Sequence, residues 1–491
     1  MSDFKTYLEK TGEIGHVVSI TNSIIKVSGL PNLKLREMVI SEDGERGMVY
    51  GLGEKVAEVL MFDTGKLKAG KRVARTNENF KIPVSQNLLG RIVNPLCQPI
   101  DGLGPIGGEK EFLNIEREAP NITQRMRVNK LLETGVTIVD LLIPIGYGQR
   151  ELVIGDGKTG KTTFLLQTMI SQIKKGMICI YVSIGKEITH VKAVEESLKE
   201  AGALNKTVIL VAAPDTPATI SYLVPYSGMT IAEYFREKGK ASLIIFDDLT
   251  AHAKIYREIS SLLKRAPGRA AYPGDIFHIQ ATLVERAGNI KNKEGKEVSI
   301  TALPVAETLE NDISGYIQTN LLAMTDGHIF FDIEEFKKGR RPAINFFLSV
   351  SRVGNQTKEP LDRELATFVR KKLAEYQKVL EIARFGVELP EETKRVIDLG
   401  EKLGVIFNQG PKTVISREFQ LFLIGLLLSG FWDDEVPKIM EIIKEEILEH
   451  YKKGEFPDIE MEIRKIKTVE ELKNFAKEYH SEIKRMFLWL V

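Results

Sequence analysis

The amino-acid sequence predicts a multidomain α/β protein with an N-terminal antiparallel β-barrel, a central and mostly parallel α/β domain, and a C-terminal helical bundle. Three observations lead to this prediction. Short alternating strands dominate residues 1–85. Strands alternate with helices through 86–355, and a glycine-rich loop there joins a strand to a helix. Strand patterns stop after Gly354, and residues 356–491 show helical periodicity. A chain of 491 residues is also too long for one core.

The first region contains short segments in which apolar and polar residues alternate, and glycines separate these segments. The apolar positions are Val18, Ile20, Ile25, Val27, Val56, Val59 and Met61. Alternation with a period of two is typical of strands that bury one face. Many short strands with glycine-rich turns indicate a small closed barrel.

The central region alternates apolar strand patterns with helical patterns. The predicted strands cover 178–182, 208–211, 243–246 and 300–303. This alternation predicts a mostly parallel sheet with helices on both faces.

The last region has apolar residues at helical spacing. Those on one predicted helix face are Leu361, Leu365, Phe368, Val369, Leu373 and Tyr376. The longest apolar run, 421–432, is interrupted by Ser429 and Gly430. It is shorter than the about 20 apolar residues that span a bilayer, so it predicts a buried helix.

Composition excludes some classes of function. Lys+Arg 68 against Asp+Glu 67 leaves a formal net charge of +1, which gives no long-range field for binding nucleic acid. The two cysteines, Cys97 and Cys179, are expected to be small core residues of a protein in a reducing compartment. The N-terminal residues show no basic segment followed by an apolar one, so no secretory signal is expected.

Residues 155–162 read GDGKTGKT, a complete phosphate-loop motif between an apolar strand and a helical pattern. Backbone N–H groups of such a loop surround the phosphates, and the start of the helix adds a positive dipole end. We expect Lys161 to reach the β and γ phosphates of ATP or ADP, and the Thr162 hydroxyl to face Mg²⁺. The predicted nucleotide-binding residues of this segment are Gly155, Asp156, Gly157, Lys158, Thr159, Gly160, Lys161, Thr162 and Thr163.

A second indication of nucleotide binding is a carboxylate that follows the strand predicted at 243–246. Asp247 ends this apolar run, which is where a Walker B aspartate holds Mg²⁺ through water. We therefore predict Thr162 and Asp247 as the metal-binding residues. The adjacent Asp248 is expected to be a structural or solvated neighbour.

Hydrolysis also needs a carboxylate at hydrogen-bond distance from the attacking water. In this class of ATPase the carboxylate follows the strand after the phosphate-loop helix, and here Lys186 stands directly after Gly185. An ammonium cannot accept a proton. Glu187 is adjacent, and on an extended segment it points to the opposite side. One interpretation is a nucleotide-binding chain without a catalytic base; the alternative is a self-sufficient hexameric ATPase that translocates protein or nucleic acid and uses Glu187 as its base.

Several separated motifs carry a resemblance to one family. They are GYGQRELVIG at 146–155 with the phosphate loop, YLVPYSG at 222–228, PGR at 267–269, AYPGD at 271–275, SITALP at 299–304, LSVSRVG at 348–354, LGRIVNP at 89–95 and PIDG at 99–102. Together they resemble the alpha subunit of F-type ATP synthases.

The resemblance implies a three-domain subunit whose central domain is a RecA-like P-loop domain. It implies an alternating heterohexamer with a catalytic beta-type subunit, built around a gamma-like central stalk, in which the alpha subunit binds Mg-ATP without turning it over. By position, Phe336, Arg341 and Pro342 match residues around the adenine, and Gln409 matches a glutamine of the same pocket. Arg352 matches the arginine lent to the neighbouring catalytic site, although a core salt bridge is the alternative.

The resemblance also implies a location at the cytoplasmic face of the bacterial plasma membrane, with membrane contact only through the rest of the complex. The chain departs from the family pattern at five positions. Gly157 and Lys158 replace an arginine and a glutamine, Lys186 and Pro411 each replace a glutamine, and Ala270 replaces a glutamate. The N-terminal segment is also short, which leaves the peripheral-stalk contact open. These departures indicate a divergent member with altered nucleotide affinity.

Overall fold

The computed structural model describes residues 2–63, 65, 67–292, 294–383 and 390–486. The chain divides into two compact units. The first comprises Met1–Met126, Gly176–Thr308 and Asp312–Thr325. The second comprises Arg127–Lys175, Leu309–Asn311 and Asp326–Val491. The domain boundaries at 85 and 355 stay predictions.

The first unit begins with a helix and a closed six-stranded antiparallel barrel, as the sequence predicts. The elements are α1 Ser2–Thr11, β1 Ile14–Thr21, β2 Ile24–Ser28, β3 Glu37–Ser41, β4 Arg46–Leu52, β5 Ala57–Met61 and β6 Arg72–Asn79. The strand order is β1-β2-β5-β4-β3-β6, and β6 pairs with β1 to close the barrel. Buried apolar side chains fill its interior.

Strand β1 of the barrel departs from the simple alternation of buried and exposed residues that its sequence predicts. Val17 is 2% exposed and Val18 is 51% exposed, and after the bulge between Val17 and Ser19 it is Ile20 that packs against the barrel core. A one-residue shift moves side chains to the other face of a strand. The alternation therefore predicts the strand but assigns Val18 to the wrong face.

The elements from residue 81 to residue 212 follow in chain order. They are β7 Lys81–Val84, β8 Ile92–Val93, β9 Glu111–Asn114, β10 Leu131–Leu132, α2 Thr137–Leu142, β11 Ile145–Gly146, β12 Glu151–Asp156, α3 Lys161–Lys174, β13 Ile178–Ile184, α4 Ile188–Glu200 and β14 Thr207–Ala212.

The elements from residue 218 to residue 351 are α5 Ala218–Ser221, α6 Val224–Glu237, β15 Ser242–Asp247, α7 Leu249–Leu262, α8 Ile276–Val284, β16 Gly288–Lys291, β17 Glu297–Thr308, α9 Tyr316–Met324, β18 Gly327–Phe331, α10 Ile333–Lys337 and β19 Val350–Ser351.

In the first unit, strands β17, β15, β13, β14 and β8 lie side by side in that order, and each neighbouring pair is parallel. All four predicted strands of the central region belong to this set. In the second unit, β12 pairs with β18 in parallel, and β19 pairs antiparallel with β18. The predicted parallel α/β architecture is confirmed.

The C-terminal part of the second unit is helical, as predicted. Its helices are α11 Pro360–Ala383, α12 Glu391–Phe407, α13 Arg417–Leu428, α14 Pro437–Lys452, α15 Ile459–Ile463, α16 Val469–Glu478 and α17 His480–Met486. Helix α13 covers most of the predicted buried run, and nearly all its side chains are buried. In the described part of the chain, no helix is both long and apolar enough to cross a membrane. Cys97 and Cys179 are both buried, which agrees with their predicted role as small core residues.

Candidate functional site

The phosphate loop of the second unit connects the buried strand β12 to helix α3. Gly160 precedes α3 with a φ of 101°, a left-handed conformation that favours glycine. At Gly155 an added Cβ would overlap the Phe331 carbonyl on β18, so the strand allows no side chain there. Local geometry therefore requires both glycines.

Lys161 is the first residue of α3, and it is 8% exposed. Its Nζ donates to the Gly155 carbonyl at 2.8 Å and to the Asp156 carbonyl at 2.6 Å. Thr159 Oγ1 also donates to the Asp156 carbonyl, at 2.7 Å. The ammonium is thus held over the loop by weak acceptors that a phosphate oxygen would outcompete, because charge-assisted hydrogen bonds to anions are stronger.

The loop is supported by contacts that the sequence reasoning did not find. The Asn311 backbone N–H donates to the two Asp156 carboxylate oxygens at 3.0 and 3.2 Å. Asn311 Nδ2 donates to Asp332 Oδ1 at 2.8 Å, and Asn345 Nδ2 donates to Asp332 Oδ2 at 2.9 Å. Burial alone would raise the pKa of Asp332, but these hydrogen bonds hold it below its usual value. Asp156 therefore links the phosphate loop to Asn311 and, through Asn311, to Asp332.

A cavity of about 550 Å³ lies beside the loop within the second unit. It is lined by predicted residues from both the loop and the later part of the chain: Lys158, Thr159, Gly160, Thr163, Phe336, Arg341, Pro342 and Gln409. The structure thus brings together side chains that are up to 251 positions apart in the sequence, from 158 to 409. Its volume is in the range of small-molecule sites.

Arg341 and Phe336 form one wall of this cavity. The Arg341 guanidinium carbon lies 3.6 Å from the centre of the Phe336 ring, a close cation–π contact. The same guanidinium donates to the Phe336 carbonyl at 2.9 Å. The stack fixes an aromatic ring and a cation together in the lining of the cavity.

Gln409 lines the cavity, but its amide is occupied by the backbone. Its Oε1 accepts a hydrogen bond from the Thr137 N–H at 2.6 Å, and its Nε2 donates to the Gly135 carbonyl at 3.0 Å. The side chain is buried. Gln409 therefore forms part of the wall and holds 135–137 in place, with both ends of its amide satisfied.

Four polar residues of the cavity were missed by the sequence reasoning: Gln167, Asn408, Glu441 and Glu445. Asn408 Oδ1 accepts from the Arg341 N–H at 2.8 Å, and its Nδ2 donates to Glu441 Oε1 at 2.8 Å. Glu441 and Glu445 are four residues apart on α14, so they share a helix face. That spacing was the only signal available, and it is common on solvated helices.

In the first unit, Asp247 ends the buried strand β15, as predicted. Its Oδ2 accepts a hydrogen bond from the Tyr181 hydroxyl and lies 3.3 Å from His190 Nε2. Its Oδ1 lies 3.7 Å from Lys186 Nζ. Burial alone would raise the pKa of Asp247, but the His190 hydrogen bond and the Lys186 charge hold it below the usual value.

Lys186 follows Gly185 and turns inward, since it is 22% exposed. Its Nζ lies 2.9 Å from Asp248 Oδ2 and 3.0 Å from Glu307 Oε1. Burial alone would lower the pKa of Lys186, but the Asp248 and Asp247 carboxylates raise it above its usual value. Lys186 is thus a cation held by carboxylates of the same unit.

Asp248 has a structural role. It is buried, its Oδ1 accepts from the Ala251 N–H at 2.6 Å, and it caps helix α7. Its other oxygen receives Lys186. The structural alternative for Asp248 is confirmed and the solvated one is wrong.

Glu187 is exposed at the start of α4, where its backbone carbonyl accepts the first helical hydrogen bonds. Thr162 is half-buried in the first turn of α3. No group of three or more His, Cys, Asp and Glu side chains that could hold a metal ion occurs in the part of the chain that the structure describes. A hydroxyl, an imidazole and an ammonium face the oxygens of Asp247, and its metal-binding role stays a prediction.

Arg352 follows the short strand β19, and its side chain is exposed. Its backbone N–H donates to the Asp326 carbonyl at 3.1 Å, and the Asp326 carboxylate receives both prongs of Arg150 at 2.6 and 3.0 Å. Among the described residues, no carboxylate lies within 4.0 Å of the Arg352 guanidinium. The segment is anchored through its backbone while the charged group points into solvent.

Comparison with known proteins gives matches over most of the chain. Residues 135–351 match the family model described as "ATP synthase alpha/beta family, nucleotide-binding domain". Residues 356–484 match the model described as "ATP synthase alpha/beta chain, C terminal domain". The chain is also 40% identical over 431 residues to "ATP synthase subunit alpha" of Neorickettsia sennetsu, which covers 86% of this chain and 84% of that relative.

Proposed function

The chain belongs to the ATP synthase alpha subunit family, and from this premise we propose that it is a noncatalytic, regulatory nucleotide-binding subunit of a rotary F-type ATP synthase. The observation that carries the proposal is the position of Lys186. An ammonium bound to Asp248 and Glu307 stands where a hydrolytic enzyme needs a proton acceptor.

The proposed ligand is ATP or ADP in the cavity of the second unit. The phosphate loop provides N–H groups and the Lys161 cation for the phosphates. The Phe336 ring and the Arg341 guanidinium provide a flat apolar and cationic wall suited to a nucleobase. Thr162 remains the proposed residue for a magnesium ion that accompanies the nucleotide, and it would contribute one hydroxyl oxygen.

We expect the isolated chain to bind ATP and to hydrolyse it at a rate indistinguishable from that of a boiled control. The reason is that Glu187 is exposed and Lys186 cannot act as a base. Calorimetry measures the binding, and phosphate release measures the turnover. Steady hydrolysis that Glu187→Gln abolishes would instead establish the self-sufficient ATPase.

We further propose that Arg352 acts in trans as an arginine finger at the catalytic site of a neighbouring beta-type subunit. An exposed guanidinium on an anchored backbone can cross an interface and bind phosphate oxygens with two prongs. A core salt bridge, the alternative from sequence, has no support in the described contacts of Arg352. The arginine would neutralise charge that grows on the transferring phosphoryl group.

The proposed partners are a catalytic beta-type subunit in an alternating heterohexamer and a gamma-like central stalk. The proposal makes no assignment for a peripheral stalk; α1 packs against the barrel. The proposed location is the cytoplasmic face of the bacterial plasma membrane, with membrane contact only through other subunits, and no nucleic acid is expected as a partner.

We expect a stable ring only after a beta-type subunit is added. Noncatalytic and catalytic sites lie between unlike neighbours in an alternating ring, so a ring of one chain type would contain only like–like interfaces. Native mass spectrometry of this chain alone and of the mixture tests the expectation. A homohexamer of this chain that hydrolyses ATP without partners would contradict it.

A further inference from the structure

A cavity of about 850 Å³ in the first unit is lined by the second half of α7 and by the loop that follows this helix. Its volume is in the range of small-molecule sites. Its charged lining residues are four cations and one carboxylate: Lys254, Arg257, Lys264, Arg265 and Glu258. The whole chain is nearly neutral, with Lys+Arg 68 against Asp+Glu 67, so the excess of positive charge is a property of this cavity.

Three of these four cations have no carboxylate partner in the structure. Within the described residues, Lys254 and Lys264 form no ion pair or side-chain hydrogen bond, and both are exposed. Glu258 is four residues from Lys254 on the same helix face, yet no ion pair joins them. Arg265 differs, because its Nη2 lies 3.5 Å from Glu58 Oε2.

Arg257 is the third unpaired cation, and an aromatic ring holds it. Its guanidinium carbon lies 4.7 Å from the centre of the Tyr272 ring. A guanidinium in such a cation–π contact keeps its N–H donors in its own plane, where they stay available to an acceptor. No acceptor in the described part of the chain receives them. Arginine donors of this kind bind phosphate oxygens with two prongs.

A buried hydroxyl in the same lining also lacks a partner. Ser260 is 4% exposed and lines the cavity, and its Oγ has no hydrogen-bond partner among the residues that the structure describes. An unpartnered buried polar group lowers stability, and a ligand that supplies an acceptor removes this penalty. The orphaned hydroxyl is therefore a second indication of a ligand, independent of the charges.

The carbonyl groups at the end of α7 are already satisfied by the chain. The Arg265 N–H donates to the Ser260 carbonyl at 3.0 Å, and the Lys264 N–H donates to the Ser261 carbonyl at 2.9 Å. These two bonds close the helix in the manner of a Schellman motif. The helix end thus directs fewer free carbonyl oxygens at an anion in the cavity.

The unpaired cations are spread along the cavity. Lys254 and Arg257 are three residues apart on one face of α7, and Lys264 follows the end of the helix. At a rise of about 1.5 Å per residue, the helical segment from 254 to 262 is about 12 Å long. A linear chain of phosphate groups matches such a row better than a single tetrahedral anion does.

We propose that this cavity is a second anion site, which binds a linear oligophosphate such as pyrophosphate or tripolyphosphate. Lys254, Arg257 and Lys264 donate to the phosphate oxygens, and the Ser260 hydroxyl donates one further hydrogen bond. Such charge-assisted hydrogen bonds are stronger than neutral ones. The site is built from the first unit alone, whereas the phosphate loop belongs to the second.

The alternative is a solvated row of cations that only balances the negative end of α7. Lys199 provides the comparison, because it is an exposed lysine in the last turn of α4. Under this alternative, oligophosphate affinity is equally insensitive to the removal of Lys199 and of the cavity lysines.

The test is calorimetric titration of the full chain with tripolyphosphate in EDTA and about 0.15 M salt, which screens long-range attraction. Lys161→Ala is the background, because tripolyphosphate can also bind the phosphate loop. There we expect one bound tripolyphosphate. Lys254→Gln combined with Lys264→Gln should raise its dissociation constant about ten- to a hundredfold, the range of lost charge-assisted hydrogen bonds. Lys199→Gln, the matched control, should change it by less than about threefold.

A second titration uses inorganic phosphate, which we expect to bind at least about tenfold more weakly than tripolyphosphate. A third uses the chain with Lys161 unchanged, and it gives a result even if Lys161→Ala does not fold. In that chain the double substitution at Lys254 and Lys264 should lower the number of bound tripolyphosphates by one. Both lysines are exposed and unpaired in the described contacts, so we expect the unfolding temperature to stay the same.

Four results would each overturn the inference. They are the absence of tripolyphosphate binding in the Lys161→Ala background, equal losses with the control and the double variant, equal affinity for inorganic phosphate, and an unchanged number of bound tripolyphosphates in the chain with Lys161. None of them affects the proposed nucleotide binding, which calorimetry with ATP measures separately.

Discussion

Arg352→Lys is expected to lower ATP turnover of the reconstituted complex by at least roughly 10³-fold, the lower end of the range for arginine fingers. Lysine keeps the positive charge, but it loses the planar fork that binds two phosphate oxygens at once. Because Arg352 is exposed and lysine keeps the positive charge that acts on the buried Glu151 carboxylate, we expect assembly and thermal stability to stay unchanged.

The measurement is turnover per intact complex, with native mass spectrometry and thermal unfolding on the same samples. Arg363→Lys on α11 is the matched control, since Arg363 is an exposed arginine outside β19 and its anchoring contacts. Near-normal turnover together with reduced assembly or stability would show that Arg352 is a structural residue.

The anchoring of Arg352 explains why the effect should be confined to turnover. Arg150 holds Asp326 with two hydrogen bonds, and Asp326 holds the Arg352 backbone. Gln149 donates to Ser351 Oγ at 3.2 Å, next to the arginine. These contacts position the chain rather than the guanidinium, so they survive a change at the side-chain tip.

Most of the fold was predictable because its signals are local. Strand alternation predicts the barrel, and the strand–loop–helix order of the phosphate loop predicts its position after β12. The bulge after Val17 was not predictable, since it depends on the register against β2. Boundaries and faces of strands are set by pairing partners that a single segment does not reveal.

The residues of the site were predictable where they match family motifs. The side-chain contacts between residues far apart in the sequence were not. Phe336 and Arg341 reach the same cavity as the loop, in agreement with the resemblance. No local pattern connects Lys186 with Glu307, which are 121 positions apart. Likewise, nothing in the sequence shows that the Gln409 amide binds the backbone at 135 and 137. Side-chain partners of this kind are fixed by tertiary packing alone.

Lys161→Ala is expected to weaken ATP binding by the isolated chain by about a hundredfold or more, because it removes a charge-assisted contact with the phosphates. Without nucleotide, the ammonium donates hydrogen bonds to the Gly155 and Asp156 carbonyls at 2.8 and 2.6 Å. The Asp156 carbonyl keeps its hydrogen bond from Thr159 Oγ1 at 2.7 Å after the change, so we expect the unfolding temperature to fall little.

Lys158→Ala is the matched control for this prediction, because the same side-chain change occurs three positions away in the same loop. Lys158 is exposed and lines the cavity, and its φ is 62°. A mobile surface charge contributes little to binding, and we expect less than about a threefold change in the dissociation constant. Calorimetry with ATP compares the two variants. Equal losses of ATP affinity in the two variants would mean that only the net charge of the loop matters. A large loss of affinity confined to Lys161→Ala assigns phosphate binding to Lys161, which the loop geometry holds over the loop carbonyls.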